Sequence, residues 1–354
     1  GVDPAVAKIF GVLPNPNNTD IGDGLNTGGF RFNNPAGSEN NSYTLRVDHS
    51  LTDAHRLFFR YSWYKTYSID SLNSQDAPFP GFPQGWQGGI RAGYSIGSDW
   101  VLSPSVVNEA RFGTQSANSD FARPARLKGP TIISNLFTDP YSSAFPQSRI
   151  SPVWEFTDNL TKLWGKHTFK TGANLRFTNQ FGTNDAGIYP NVTLATTLGN
   201  TVPSTIGPTG SSTISSANRQ QFDNLYNDVL GRMNQVVQTF YSDLTTFQAA
   251  GSPRVRDFLI REHGFFFQDD WKVNRKLTLN LGMRWEYNSI PKERNGFQGT
   301  IAQVSSLNTV SQINNLKLTK DNAWYKQDWN NFAPRFGFAY DPKGDGKMAI
   351  RGSY

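Results

Sequence analysis

The chain has 354 residues, no cysteine, only four histidines and only three methionines. Without thiols there is no disulfide framework, no thiolate zinc site and no cysteine nucleophile. His49, His55, His167 and His263 are far apart in sequence and none shows metal-ligand spacing. No stretch approaches the roughly 18 apolar residues that a transmembrane helix requires, which excludes a helical membrane protein. The net charge of +6 is modest and scattered. With no Lys/Arg run to track phosphates, nucleic acid is not an expected partner. Neither an initiator methionine nor a signal peptide opens the chain at Gly1, so a mature or internal piece is expected.

What is present points elsewhere. Aromatic residues make up 14% of the chain, and there are 32 glycines and 20 prolines. That mixture suits an all-β protein with many loops. Its main signal is a period of two. In KLTLNLGMRWEYN (276–288), Leu277, Leu279, Leu281, Met283, Trp285 and Tyr287 share one parity. The other parity holds Thr278, Asn280, Gly282, Arg284, Glu286 and Asn288. Strands of soluble proteins average about 5–6 residues, shorter than this run. At about 3.3 Å per residue and a tilt near 40°, ten steps rise about 25 Å, the height of the apolar band of an outer-membrane barrel. Trp285 and Tyr287 would then mark one aromatic girdle, and Trp271 the other.

The pattern repeats. Tyr43, Leu45 and Val47 alternate with Thr44, Arg46 and Asp48; after Thr52-Asp53-Ala54, Leu57, Phe59, Tyr61 and Trp63 continue it. Ile96, Trp100 and Leu102 lead to Ser103-Pro104-Ser105, and Val106, Ala110 and Phe112 follow. Trp154, Phe156 and Leu160 lead to Trp164-Gly165-Lys166, then Phe169, Ala173, Leu175 and Phe177. Phe265, Phe267 and Trp271 precede the turn at Asn274-Arg275, and Phe336, Phe338 and Tyr340 precede DPKGDGK, after which Met348 and Ile350 begin a last strand. The expectation is ten strands in five pairs. Four residues break the pattern: Asp158 and Asp269 on the apolar parity, Phe58 and Phe266 on the polar one.

Connections alternate in length too. Short turns join the members of each pair, while the long segments 67–89, 118–151, 180–255 and 290–330 separate the pairs. Short turns at one end and long loops at the other are the asymmetry of bacterial outer-membrane barrels. A transmembrane antiparallel β-barrel is therefore the expected fold, with a soluble β-sandwich as the alternative. On the barrel reading Leu57, Phe59, Phe169, Leu175, Leu277, Leu279, Leu281, Trp285, Phe336 and Phe338 face lipid. Arg46, Asp48, Arg60, Lys170, Asn174, Arg176, Arg284, Glu286 and Arg335 face the lumen. The whole chain, 1–354, reads as part of a single barrel domain, with 1–42 an extracellular loop segment and 43–354 strands and loops. A helix is expected from Gln220 to about Phe247, where Phe222, Leu225, Tyr226, Val229, Met233, Val236, Val237 and Phe240 keep helical spacing. A shorter one is expected in 4–13.

No catalytic constellation stands out, so an enzyme is not expected, nor a cofactor. Asp269 and Asp270 are adjacent strand residues and point to opposite faces, so they cannot share a substrate. DPKGDGK (341–347) lacks the ligand spacing of a calcium loop and is explained as a hairpin turn with positive φ at Gly344 or Gly346. APFPGFPQGWQGG (77–89) reads as a stiff extracellular loop. His49 and His167 flank turns and are expected at the periplasmic rim.

Four blocks carry a resemblance: SYTLRVDHSLTDAHRLFFRYS (42–62), GKHTFKTGANLRF (165–177), FFFQDDWKVNRKLTLNLGMRWEY (265–287) and NFAPRFGFAYDPKGDGKMAIRGSY (331–354). In this order they resemble the barrel of TonB-dependent receptors, within them the Oar-like group, and VDPAVAKIFGVLPNPNN (2–18) resembles the segment before the RVDH strand of that group. The resemblance implies a plug domain, a TonB box, a 22-strand barrel and often a carboxypeptidase-regulatory-like domain. None of the N-terminal parts is in this sequence, so a barrel fragment is expected. Its implied partners are outer-membrane lipid, the TonB energy-coupling complex through the missing plug, and a large or scarce solute taken up or exported. A passive porin-like or adhesion barrel, and a soluble secreted β-protein that binds carbohydrate, stay open beside it.

Overall fold

The computed structural model describes residues 1–21, 27–34, 37–69, 79–82, 85–122, 130–140, 146–207, 214–301, 318–320 and 324–354. Its elements are α1 (Pro4–Phe10), β1 (Ser38–Thr52), β2 (His55–Ile69), β3 (Trp86–Ser103), β4 (Val106–Ala122), β5 (Thr131–Ile133), β6 (Gln147–Trp164) and β7 (His167–Asn184). There follow β8 (Asn191–Leu194), α2 (Ser216–Val229), β9 (Met233–Val237), β10 (Arg254–Lys272), β11 (Leu277–Asn288), β12 (Lys292–Glu293), β13 (Gly299–Ile301), β14 (Leu318–Lys320), β15 (Phe332–Tyr340) and β16 (Ile350–Ser353). Among the described residues no helix is long and apolar enough to cross a membrane.

One eleven-stranded sheet dominates, in the order β1-β2-β3-β4-β6-β7-β10-β11-β15-β16 with β12 attached to β10. Each strand on that path pairs antiparallel with its neighbours. These are the ten strands that the alternation of the sequence marks, in the same five hairpins. The turns have the chemistry that tight reversals need: Gly165 takes φ 59°, and both Gly344 and Gly346 take φ 72°. At the last turn the Asp341 carboxylate accepts from the backbone N–H of Lys343 at 3.1 Å, Gly344 at 2.7 Å and Gly346 at 2.8 Å.

The strands run further than the alternation does. β1 begins at Ser38 rather than 43, and Ser38–Ser42 pair with Ser68–Tyr64. β4, β6, β7 and β10 likewise continue into segments such as Asn118-Ser119-Asp120 and Gln147-Ser148-Arg149, polar on both parities. Backbone ladders continue there because hydrogen bonding does not depend on an apolar face. Of the loop 77–89, only 79–82 and 85–89 lie within the described residues, and β3 already begins at Trp86.

The long helix expected over 220–247 is shorter and is followed by a strand. α2 is capped by Ser215, whose side chain accepts from the Asn218 N–H, and it stops at Val229. Gly231, with φ 63°, reverses the chain. Met233–Val237 then pairs with β8, where two adjacent β-branched valines suit a strand better than a helix. Together α1, β5, β8, β9 and α2 form a small layer within the long connections. Its core is Val6, Val192 and Leu194, with Ile132 and Phe137 packed against them. The buried Asp228 ties α2 to that layer by accepting from Ser134 Oγ at 2.8 Å and Asn135 N–H at 2.7 Å. The short α1 falls inside the expected 4–13, nucleated by Asp3, whose carboxylate accepts from the N–H of Ala5 and Val6.

Candidate functional site

The register turns one-dimensional alternation into two faces. Across neighbouring strands Val47, Phe59, Ile96, Phe112, Phe156, Leu175, His263 and Tyr287 lie side by side. One residue along, Arg46, Arg60, Ser95, Gly113, Glu155, Arg176, Glu262 and Asn288 form the adjacent row on the other face. All ten residues expected toward lipid fall on the apolar face. Leu57 and Phe59 sit with Leu175 and Trp285, while Phe169, Leu277, Leu279, Leu281, Phe336 and Phe338 occupy the rows nearer the short turns. All nine expected toward the lumen, Arg46, Asp48, Arg60, Lys170, Asn174, Arg176, Arg284, Glu286 and Arg335, fall on the opposite one.

The apolar face is uncovered. Phe156 is 45% exposed, Phe267 50% and Phe336 47%. In a β-sandwich such side chains would interdigitate with a second sheet; here the described residues provide no such layer, which sets that alternative aside. Aromatic rings bound the face at two heights. At the short-turn end His167 stacks between Phe169 and Trp271, at 5.4 and 5.3 Å. At the other end His263 stacks on Tyr287 at 5.6 Å, and Tyr287 on Trp329 at 4.5 Å. Ten residue steps separate Trp164 from Trp154 on β6, and His167 from Phe177 on β7. At a barrel tilt both rise about 25 Å.

The residues that break the sequence pattern have specific partners. Phe58 lies over Gly97, and the guanidinium carbons of Arg46 and Arg111 sit 4.7 and 5.3 Å from its ring centroid. Phe266 lies over Gly172 in the same manner. An aromatic ring on the polar face thus covers the backbone that a glycine leaves bare. On the apolar face Asp158 accepts from Asn108 Nδ2 at 2.6 Å, and Asp269 contacts His167 Nδ1 at 2.7 Å. Asp270 turns the other way, to Lys170 at 3.0 Å, so the adjacent carboxylates are divided between faces.

Among the described residues five ion pairs lie on the polar face. Arg46 meets Asp48 at 2.7 Å, Arg176 meets Glu262 at 3.6 Å, Arg111 pairs with Asp99, and Arg284 with Glu286. Asn174 donates to Glu155 at 2.7 Å. Among the described residues Arg60 and Arg335 have no carboxylate within 4 Å. Arg60 lines a concavity of about 360 Å³ with Ser62, Ser95, Gln115, Glu155 and Arg176, floored by Gly93 and Gly113. Among the described residues no three His, Cys, Asp or Glu side chains are grouped to hold a metal. Sequence reading missed a second concavity, lined by Arg149, Arg254 and Arg256, because those arginines lie where alternation has faded.

Carboxyls outside the band include two whose titrations are displaced in opposite directions. Three backbone N–H donors, that of Gly346 foremost, hold Asp341 below its usual range. Burial pushes Asp185, just past β7, above its own.

A two-faced antiparallel sheet with aromatic borders and short turns at one end defines an outer-membrane β-barrel class of protein. The sequence model described as "Outer membrane beta barrel domain" matches residues 1–354. The chain therefore belongs to the outer membrane β-barrel domain family, and its place is the outer membrane of a Gram-negative bacterium. No curated protein matches it by sequence. Among solved structures it is similar to the outer membrane transporter YddB from Escherichia coli, with 11% identity and TM-score 0.47, over 90% of this chain and 31% of that one. It is similar to the siderophore receptor PiuA from Acinetobacter baumannii, with 14% identity and TM-score 0.41, over 90% and 42%. It is also similar to FpvA of P. aeruginosa in complex with a pyoverdine and iron, with 12% identity and TM-score 0.45, over 90% and 35%. The chain spans less than half the length of each of them.

Proposed function

We propose that this chain is part of the barrel of a TonB-dependent receptor or transporter, moving a large or scarce solute across the outer membrane. The observation that carries the membrane part is the ten-step apolar face, uncovered and bounded by stacked aromatics. On this reading Leu57, Phe59, Phe169, Leu175, Leu277, Leu279, Leu281, Trp285, Phe336 and Phe338 contact acyl chains. Arg46, Asp48, Arg60, Lys170, Asn174, Arg176, Arg284, Glu286 and Arg335 line the lumen, where water hydrates what their ion pairs leave exposed. The whole of 1–354 belongs to one barrel domain, and the layer built on α1 and α2 lies among the long extracellular connections.

Energy coupling through TonB is supported by the four ordered blocks that resemble this receptor group. The siderophore receptor PiuA and the pyoverdine–iron complex of FpvA make a siderophore-bound metal the solute to test first. The test is uptake in cells that produce the full protein. TonB deletion should abolish solute accumulation, and the purified protein should be nearly silent in a planar bilayer. Accumulation that survives TonB deletion, with steady conductance, would make it a passive pore instead.

A further inference from the structure

Beyond the upper aromatic row the polar face changes character. Gly182 on β7 pairs with Arg149 on β6 at one side and Arg256 on β10 at the other. Arg254 follows on the same face, opposite Asn184. Standard strand spacing puts the Arg149 and Arg256 backbones about 10 Å apart and those of Arg254 and Arg256 about 7 Å apart. The three side chains border a concavity of about 190 Å³ together with Gln147 and Gln180. We infer that Arg149, Arg254 and Arg256 form a binding site for a multiply charged anion bearing phosphate or carboxylate groups.

The guanidinium groups are positioned without being neutralised. Arg149 donates to Gln147 Oε1 at 3.2 Å and lies over the Phe121 ring. Arg256 donates to the Val255 carbonyl at 2.6 Å and lies over Phe297. Among the described residues none of the three has a carboxylate within 4 Å, although ion pairs are frequent elsewhere on this face. The buried Glu293 is near enough to act on Arg256 but forms no ion pair with it: its oxygens accept the backbone N–H of Asp257 at 3.0 Å and Phe297 at 2.7 Å. Like charges so close repel unless an anion joins them. The planar fork of each arginine matches the paired oxygens of a phosphate or carboxylate, and a neutral sugar offers no such partner. Gly182 leaves the floor between them open.

The site deepens the proposed transport reading by naming the solute's charge, since it lies about 12 Å beyond the Phe177 row, at the long-loop mouth. The test uses the full protein that carries this chain, refolded into vesicles, with insertion followed by heat-modifiable electrophoretic mobility. Pyrophosphate and citrate are titrated by calorimetry as the phosphate and carboxylate probes. Saturable binding that weakens with added salt is expected for at least one of them, and the stronger binder identifies the class. Arg149→Gln and Arg254→Gln should each lower the affinity at least tenfold, and Arg275→Gln, at the short-turn end, should leave it unchanged. Gly182→Glu offers a variant that keeps the fold, because a Cβ there meets nothing closer than the Ser148 carbonyl at 3.5 Å. Its carboxylate should supply the missing counter-charge and abolish anion binding. Absence of saturable binding by the unmodified chain, or binding that all three variants retain, would overturn the site. Insertion without anion binding removes this inference alone; anion binding without insertion removes the membrane reading and leaves the site standing.

Discussion

The Phe58 ring occupies the space that a side chain at Gly97 would need: a Cβ on Gly97 would collide with Phe58 Cε1. Arg46 and Arg111 flank the same ring, so it has little freedom to withdraw. Gly97→Ala should therefore cost about 1–3 kcal/mol, the usual range for overpacking. In a Phe58→Ala background the same change should cost almost nothing, because the two positions share one volume. Urea unfolding in vesicles gives both numbers, and equal costs in the two backgrounds would show that the ring is not the obstacle.

Asp158 stands on the apolar face with Asn108 as its donor. Asn108→Leu removes that donor and leaves a carboxylate facing an apolar medium, at a cost of about 1–3 kcal/mol. Replacing both by leucine should recover the loss, since no polar group is then stranded. Equilibrium unfolding of the two single variants and the double variant checks this; a double variant as unstable as Asn108→Leu would contradict it.

How much of this was legible in the sequence depends on height along the strands. Between the aromatic rows the two faces of the sheet differ in polarity, so alternation marked all ten strands and their pairing. Above the rows both sides are polar. The extension of β1 to Ser38 and the arginines around Gly182 therefore left no period to read. Phe58 and Phe266 broke the pattern for a reason carried by other strands, the glycines beneath them. The helical spacing over 220–247 failed where Gly231 takes a positive φ and β8 offers Met233–Val237 a ladder. The β8 partner is distant in sequence.

Asp185 gives a pH test outside the sheet. Burial raises its folded pKa above the usual carboxylate range, so the folded state favours the protonated form. Stability tied to this group is full below the unfolded pKa and declines as pH rises through the folded one. Asp185→Asn should raise the melting temperature at pH 7 and make little difference near pH 3. An equal gain at both pH values would deny that ionisation is the cause.

Asp341 has the opposite sign. Its folded pKa lies below 3.8 because backbone N–H groups of the turn bind the carboxylate. That stabilisation is present above the unfolded pKa and lost as pH falls through the folded one. Asp341→Ala should lower the melting temperature at pH 7, with the difference shrinking steadily in acid. A difference independent of pH would point to lost packing.

The two-sided environment of β11 can be read one residue at a time, because a chain without cysteine accepts single thiols with no background. Single cysteines at 277–287 in vesicle-inserted protein would be challenged with a water-soluble maleimide and with a lipid-soluble one. On the membrane reading, 278, 280, 282, 284 and 286 should react with the first, and 277, 279, 281, 283, 285 and 287 with the second. Labelling that ignores parity, or that follows it in reverse, would contradict it.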